Sequence, residues 1–202
     1  MDKATLPFFV AIGASGSEGL QDVRSLLHAL PDAIPAVVMV VLHRPSDRVS
    51  FLRDVLARSC AMPVVIAEDA EEFVPGTCYI GEPDGHLTLV ARNLAHLVSG
   101  ERDEHRNRTV DMLFSSLADH AGNRVIGVVM SGALDDGSRG LAAIHLVHGL
   151  TMVLEPGHKP RGMQQNAINY DGPISFIGSA VEIAEMIGQV VAENRQSNDR
   201  RG

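Results

Sequence analysis

Short apolar runs rich in valine and isoleucine alternate along this chain with longer segments in which apolar residues recur every three or four positions. Such runs are typical of strands buried on both faces, and the longer segments are typical of helices that pack one apolar face on a sheet. We therefore expect a three-layer α/β/α fold around a mostly parallel, Rossmann-like sheet. The predicted strands cover 8–13, 36–42, 64–67, 125–130 and 150–154, and the predicted helices cover 20–30, 48–58, 110–120, 140–148 and 181–193.

One part of the chain interrupts this alternation. Three short strand-like pieces, 78–80, 86–90 and 94–98, are separated by the turn signals Pro83-Asp84-Gly85 and Ala91-Arg92-Asn93. We expect these pieces to form an antiparallel hairpin region inserted in the parallel sheet.

Two segments are predicted to lie outside the regular elements. The segment 99–108 is polar and rich in charge, so we expect a surface loop there. The last residues, 195–202, are expected to form a frayed, disordered tail. The sequence thus predicts one folded domain over 1–194.

Composition and charge limit the classes of protein and partner. A chain of 202 residues that is 45% hydrophobic can build one sizeable core. The formal net charge of −8 argues against nucleic acid as a partner. Cys60 and Cys78 lack metal-binding spacing, and the histidines do not match H-E-x-x-H, so we expect free thiols and no metal. No apolar run is long enough for membrane insertion, and we expect a cytoplasmic location.

Three polar residues each follow a predicted strand: Ser15, His43 and Asp136. Because the carboxyl ends of parallel strands share one edge of a sheet, these residues can converge although they are far apart in sequence. A serine hydroxyl becomes a nucleophile when an imidazole takes its proton, and a carboxylate holds that imidazole in the required tautomer. The sequence therefore predicts a Ser-His-Asp catalytic triad.

Simpler interpretations of the same residues stay open at this point. Ser15 with Glu18 fits a helix capping box, His43 fits a surface loop, and Asp136 fits a turn before a helix. The segment 13–19 lacks the last glycine of G-x-S-x-G, which disfavours the α/β-hydrolase fold. It also lacks G-x-G-x-x-G, so we expect no dinucleotide and no other cofactor.

At these residues the sequence resembles the catalytic domain of the chemotaxis protein-glutamate methylesterases, the CheB family, from about Phe8 to Glu193. The motifs occur in the family's order. The segments that resemble them are Gly13-Ala14-Ser15, Leu42-His43, Arg108 to Phe114, Met130 through Gly137, and Gly162-Met163 with Ala167-Ile168.

The resemblance implies a serine hydrolase that demethylates glutamate methyl esters on the cytoplasmic helices of chemoreceptors and can deamidate glutamines there. It implies Ser15 as nucleophile, His43 as base and Asp136 as the group that orients the imidazole. The oxyanion or substrate-binding residues that it suggests are Gly16, Arg108, Asp111, Ala133 and Met163.

The chain departs from the family's pattern at three places. The segment 16–19 replaces Thr-Gly-Gly and brings in Glu18, Ala133-Leu134 replaces Met-Gly, and Gln164 replaces a proline. These departures motivate a second hypothesis, a catalytically silent relative that acts as a binding module or scaffold in signalling. The family usually carries a receiver domain before the catalytic domain, and we expect none in this sequence.

Overall fold

In the described part of the chain, seven strands form one parallel sheet, in which the segments 64–66, 78–80, 36–43, 8–15, 125–129, 150–154 and 176–178 follow one another from edge to edge. Two more strands form a separate antiparallel sheet. The structure is a computed structural model that describes residues 6–44, 50–83, 85–91, 93–99, 108–133, 135–157, 162–170 and 172–199, with side chains up to residue 194. The elements are β1 (Phe8–Ser15), α1 (Gly16–Ala29), β2 (Ala36–His43), α2 (Leu52–Ala57), β3 (Val64–Ile66), β4 (Cys78–Ile80), β5 (Gly85–Val90), β6 (Leu94–Ser99), α3 (Thr109–Ala121), β7 (Val125–Val129), α4 (Ser138–Leu146), β8 (Leu150–Leu154), α5 (Met163–Asn169), β9 (Phe176–Gly178) and α6 (Ala180–Asp199).

Helices cover both faces of the parallel sheet, which explains why its central strands are apolar at nearly every position. Alternate residues of β1 point to opposite faces: Val10 and Ile12 pack with α1, α2 and α6, whereas Phe9 and Ala11 pack with α3, α4 and the β5–β6 hairpin. The predicted three-layer α/β/α architecture is confirmed.

The expected hairpin region differs from the structure in one of its three pieces. Cys78–Ile80 is a strand of the main sheet and pairs in parallel with both β2 and β3. All three of its residues are buried, as a strand between two others requires. Gly85–Val90 and Leu94–Ser99 alone pair antiparallel, and their sheet packs on α3 instead of joining the parallel sheet.

Several helix boundaries also differ from the expectations. α1 begins directly after β1, at Gly16, four residues before its predicted start. α6 runs to Asp199, so the backbone of 195–199 is helical, whereas 200–202 and most of the expected loop at 99–108 lie outside the described residues. The short elements α5 and β9 were not predicted, because so few residues show no clear periodicity. Within the described ranges, no helix combines the length and the apolarity needed to cross a membrane.

Candidate active site

Ser15 and His43 are the last residues of two neighbouring strands. They lie side by side in the parallel register of β1 and β2. Neighbouring strands in a sheet are about 4.8 Å apart. The Ser15 N–H donates to the carbonyl of Ser131 at 3.0 Å, which ties β1 to the segment after β7. Ser15 also precedes α1, but its side chain makes no capping hydrogen bond. The hydroxyl is therefore not committed to capping this helix.

His43 is in direct contact with Asp136. Nε2 of His43 lies 2.6 Å from Oδ2 of Asp136, whose side chain is fully buried. The same carboxylate accepts hydrogen bonds from the backbone N–H groups of Val110 at 2.9 Å and Asp111 at 2.8 Å. Both donors belong to the first turn of α3, where the helix dipole stabilises a negative charge. The arrangement keeps a carboxylate in place against one ring nitrogen of His43.

The side chain of Asp111 lies next to Asp136 and binds the start of α4. Its Oδ1 accepts hydrogen bonds from the N–H groups of Gly137 at 3.0 Å and Gly140 at 2.8 Å, at the start of α4. Burial raises the pKa of Asp111, and the nearby charge of Asp136 adds to that effect, while the two N–H donors oppose it. The amino ends of α3 and α4 thus hold each other through two aspartates.

Thr109 is a neighbour of His43 that the sequence analysis missed. Its Oγ1 lies 3.5 Å from Nε2 of His43, on the same side of the ring as Asp136. Thr109 is buried at the first position of α3. In the sequence, the signal that could have pointed to Thr109 is a hydroxyl residue directly before the predicted helix 110–120.

The segment after β7 packs tightly between Ser15 and α5. A Cβ placed on Gly132 would lie 2.6 Å from Cβ of Ser15 and 2.4 Å from Sδ of Met163. The Gly132 carbonyl accepts from the Met163 N–H at 2.9 Å, and the Gln164 side-chain amide donates to Oγ of Ser131 at 3.0 Å. Only glycine fits at this position without displacing the serine or the methionine.

The other residues suggested by the resemblance occupy different environments. Gly16 and Ala133 are exposed near Ser15, and Arg108 is exposed at the residue before α3. Met163, by contrast, is fully buried, and its thioether packs against Gly132; its suggested role in oxyanion or substrate binding stays a prediction. Leu134 lies outside the described residues.

Two of the clefts formed by described residues border neighbours of Ser15. One borders Gly132 and opens toward β7 and β8, and the other borders Gly16 and opens toward β2 and α2. The first has a volume of about 450 Å³ and is lined by Glu18, Gln21, Asp22, Ser131, Gly132, Pro156, Gly157, Gly162, Gln164 and Gln165. The second has a volume of about 370 Å³ and includes His43 in its wall. Across the described part of the chain, no group of three or more His, Cys, Asp or Glu side chains is placed to hold a metal ion.

Fold and site together define a doubly wound α/β domain that gathers a serine, a histidine and an aspartate at the carboxyl edge of its sheet. The family model for CheB methylesterase matches residues 10–187. This chain therefore belongs to the CheB methylesterase family, as the sequence resemblance predicted.

Individual relatives agree with this assignment. The fold is similar to that of the crystal structure of the Thermotoga maritima CheB methylesterase catalytic domain, with a TM-score of 0.80 and 26% identity over 91% of this chain and 98% of that one. Curated relatives from Salmonella typhimurium and Yersinia pestis are named protein-glutamate methylesterase/protein-glutamine glutaminase, and they are 31% and 30% identical over 188 residues. The match covers 91% of this chain and 52% of each relative, so the chain spans about half their length.

Proposed function

We propose that this domain hydrolyses methyl esters of glutamate side chains in proteins, with Ser15 as nucleophile, His43 as general base and Asp136 as the orienting carboxylate. The observation that carries the proposal is the 2.6 Å contact between His43 and the buried Asp136, beside Ser15 in the strand register. Membership of the CheB methylesterase family supports the same reaction.

The geometry suggests which ring nitrogen takes the proton. Asp136 contacts Nε2 of His43, so Nδ1 is the nitrogen left to accept the Ser15 proton. Oγ of Ser15 then bonds to the ester carbonyl carbon, and the protonated His43 gives its proton to the departing methanol. Water, deprotonated by His43, next attacks the acyl-enzyme and releases glutamate and free Ser15.

The start of α1 offers hydrogen-bond donors for the oxyanion. α1 begins immediately after Ser15, and the first N–H groups of a helix have no partner within it. A helix amino terminus also carries partial positive charge. We assign the stabilisation of the tetrahedral oxyanion to backbone N–H groups at Gly16 and the residue after it.

The names of the relatives support two kinds of substrate group for the proposed reaction. Those proteins are called both methylesterases and glutaminases, and a glutamine side chain differs from the methyl ester only in its leaving group, ammonia in place of methanol. The proposed partners are the methylated cytoplasmic helices of chemoreceptors, and the proposed location is the cytoplasm.

The test is methanol release from methylated chemoreceptor membranes by the wild type, Ser15→Ala and Ser25→Ala. Ser25 is an exposed serine of α1, the helix that follows Ser15, and it is bonded only to the Gln21 carbonyl among the described contacts. We expect release by the wild type and Ser25→Ala but not by Ser15→Ala. Release by Ser15→Ala would contradict the nucleophile assignment. No release by any folded variant would instead favour the silent scaffold.

A further inference from the structure

The cleft toward β2 and α2 is apolar and reaches the proposed general base. Its wall is formed mainly by Leu20, Leu42, His43, Phe51, Leu52 and Val55. Arg44 and Ser50 also belong to it. The guanidinium of Arg44 donates to Oγ of Ser50 at 2.8 Å and to the Gly81 carbonyl at 2.7 Å. The side chains of Arg44 and Ser50 are therefore hydrogen-bonded to each other, and Arg44 also to the backbone. Apart from Ser17, the rest of the wall consists of aliphatic side chains, Phe51, His43 and a glycine.

We propose that this cleft, named here the alkyl pocket, receives the alcohol part of the ester, and that the domain hydrolyses longer alkyl esters of glutamate side chains faster than methyl esters. The inference rests on the proposed function, because it assigns His43 the role of protonating the leaving alcohol. The alcohol must then depart beside His43, and His43 is part of the pocket wall.

The sheet order separates this pocket from the cleft toward β7 and β8, named here the polar cleft. β2 and β7 are the two neighbours of β1, so they lie on opposite sides of Ser15. The polar cleft, with Ser131, Gly132 and Gln164, lies on the β7 side, where it suits the acyl part with its polypeptide backbone. The alkyl pocket lies on the β2 side, where the alcohol leaves.

The volume of the alkyl pocket exceeds what methanol needs. A water molecule occupies about 30 Å³ in the liquid, and methanol is larger by one methyl group. The pocket is an open groove of about 370 Å³, so an alkyl chain of several carbons can lie along its aliphatic side chains.

The proposed reaction balances as an ordinary ester hydrolysis. Oγ of Ser15 bonds to the carbonyl carbon as the bond to the alkoxy oxygen breaks, and the proton taken from Ser15 passes through His43 to the alcohol. Water then supplies the hydroxyl of the glutamate product, and its second proton returns to Ser15. No oxidant, metal or cofactor enters this balance.

Burial of an alkyl chain in the pocket gives a measurable trend. The free energy gained when one methylene group is removed from water changes a rate or binding constant about two- to fourfold, depending on how fully the group is buried. We expect kcat/KM to rise by about that factor for each carbon from the methyl to the butyl ester.

The experiment uses the whole chain and one peptide carrying a glutamate side chain as its methyl, ethyl, propyl or butyl ester. Rates are divided by those of hydroxide-catalysed hydrolysis of the same esters, and the Ser15→Ala rate is subtracted as background. Phe51→Ala removes an aromatic wall of the pocket that is 67% exposed, and Leu146→Ala removes a side chain that is 78% exposed at the end of α4. We expect Phe51→Ala to lower the butyl-to-methyl ratio of kcat/KM and Leu146→Ala to leave it unchanged.

Each contrary outcome has a distinct meaning. A ratio of one or less in the wild type, with methyl ester hydrolysis retained, would overturn the alkyl pocket and leave the proposed function standing. An equal change in Phe51→Ala and Leu146→Ala would also overturn it, because the effect would not come from the pocket. Absence of hydrolysis of every ester, methyl included, would overturn the proposed function together with this inference.

Discussion

At the scale of single residues, Asp136 is the most constrained side chain of the site. It is buried, and it receives the His43 ring and the N–H groups of Val110 and Asp111. A carboxylate can serve as acceptor in all of these contacts, since it has two oxygens and no donor. A side-chain amide cannot, because its NH₂ group would meet one of the N–H donors.

Asp136→Asn should therefore reduce catalysis sharply while the neighbouring Asp135→Asn should not, because Asp135 is exposed. By analogy with other triads, we expect kcat to fall by roughly 10³- to 10⁴-fold for Asp136→Asn. The unmatched donor should also lower the free energy of unfolding by about 1–3 kcal/mol. Methanol release and urea denaturation of both variants measure the two effects, and similar rates for the two variants would be inconsistent with the role of Asp136.

At the scale of elements, the amino ends of α3 and α4 interlock. N–H groups of α3 hold Asp136, and Asp111 of α3 holds N–H groups at the start of α4. At each terminus, an aspartate thus accepts hydrogen bonds from backbone N–H groups of the other helix or of the residue before it, and the first N–H groups of a helix have no partner within it. The Asp136 carboxylate is positioned by two helices whose sequences are separated by β7.

This interlock predicts a pH-dependent difference in stability. Burial raises the folded pKa of Asp111 above its ordinary value of 3.8, so its protonated form contributes stability that is present below that pH and is lost as the pH rises through the raised pKa. Asp111→Asn keeps an oxygen acceptor for Gly137 and Gly140 but cannot ionise. We expect its free energy of unfolding, relative to that of the wild type, to increase as the pH rises above the ordinary pKa of 3.8.

Urea denaturation of the wild type and Asp111→Asn at a series of pH values provides the measurement. Other titrating groups contribute to both curves, so the difference between the two proteins isolates Asp111. A difference that is the same at every pH would show that the ionisation of Asp111 does not affect stability.

The junction between β7 and α5 gives a second prediction at this scale. Gly132→Ala places a methyl group against Ser15 and Met163, whereas Gly157→Ala, in the same cleft, would meet no atom within 4 Å. We expect Gly132→Ala to lower the free energy of unfolding by about 1–3 kcal/mol through overpacking. We also expect it to lower kcat, because Ser15 is displaced. Equal activities of the two alanine variants would argue that this close approach does not position the serine.

At the scale of the whole molecule, stability depends on two apolar layers, one on each face of the sheet. Phe114 of α3 belongs to the layer that α3, α4 and the β5–β6 hairpin form on one face of the sheet, and it is completely buried. A Cβ on Gly140 of α4 would lie 2.4 Å from Cβ of Phe114, which shows how closely the two helices pack.

Phe114→Ala should leave a cavity between α3, α4 and the sheet. We expect the free energy of unfolding to fall by about 3–5 kcal/mol, as is typical for a buried phenylalanine. Leu146→Ala removes an exposed side chain from α4 and should change stability by less than about 0.5 kcal/mol. Denaturation monitored by circular dichroism compares the two, and similar midpoints would mean that this layer contributes little.

The sequence alone determined the strand-helix alternation, and with it the parallel sheet, the convergence of Ser15, His43 and Asp136 at one edge, and the family. These features follow from local periodicity and from the rule that the carboxyl ends of parallel strands share an edge. Motifs that lie within a few residues of a strand end carry this information by themselves.

Only the tertiary structure decided which short pieces join which sheet and what surrounds the three residues. Cys78–Ile80 became a parallel strand because β2 and β3 flank it, and the partners of Asp136 came from the amino end of α3. The close contact of Gly132 with Ser15 and Met163 likewise joins three separate segments. Such contacts connect residues far apart in the chain, so a local pattern in the sequence cannot predict them.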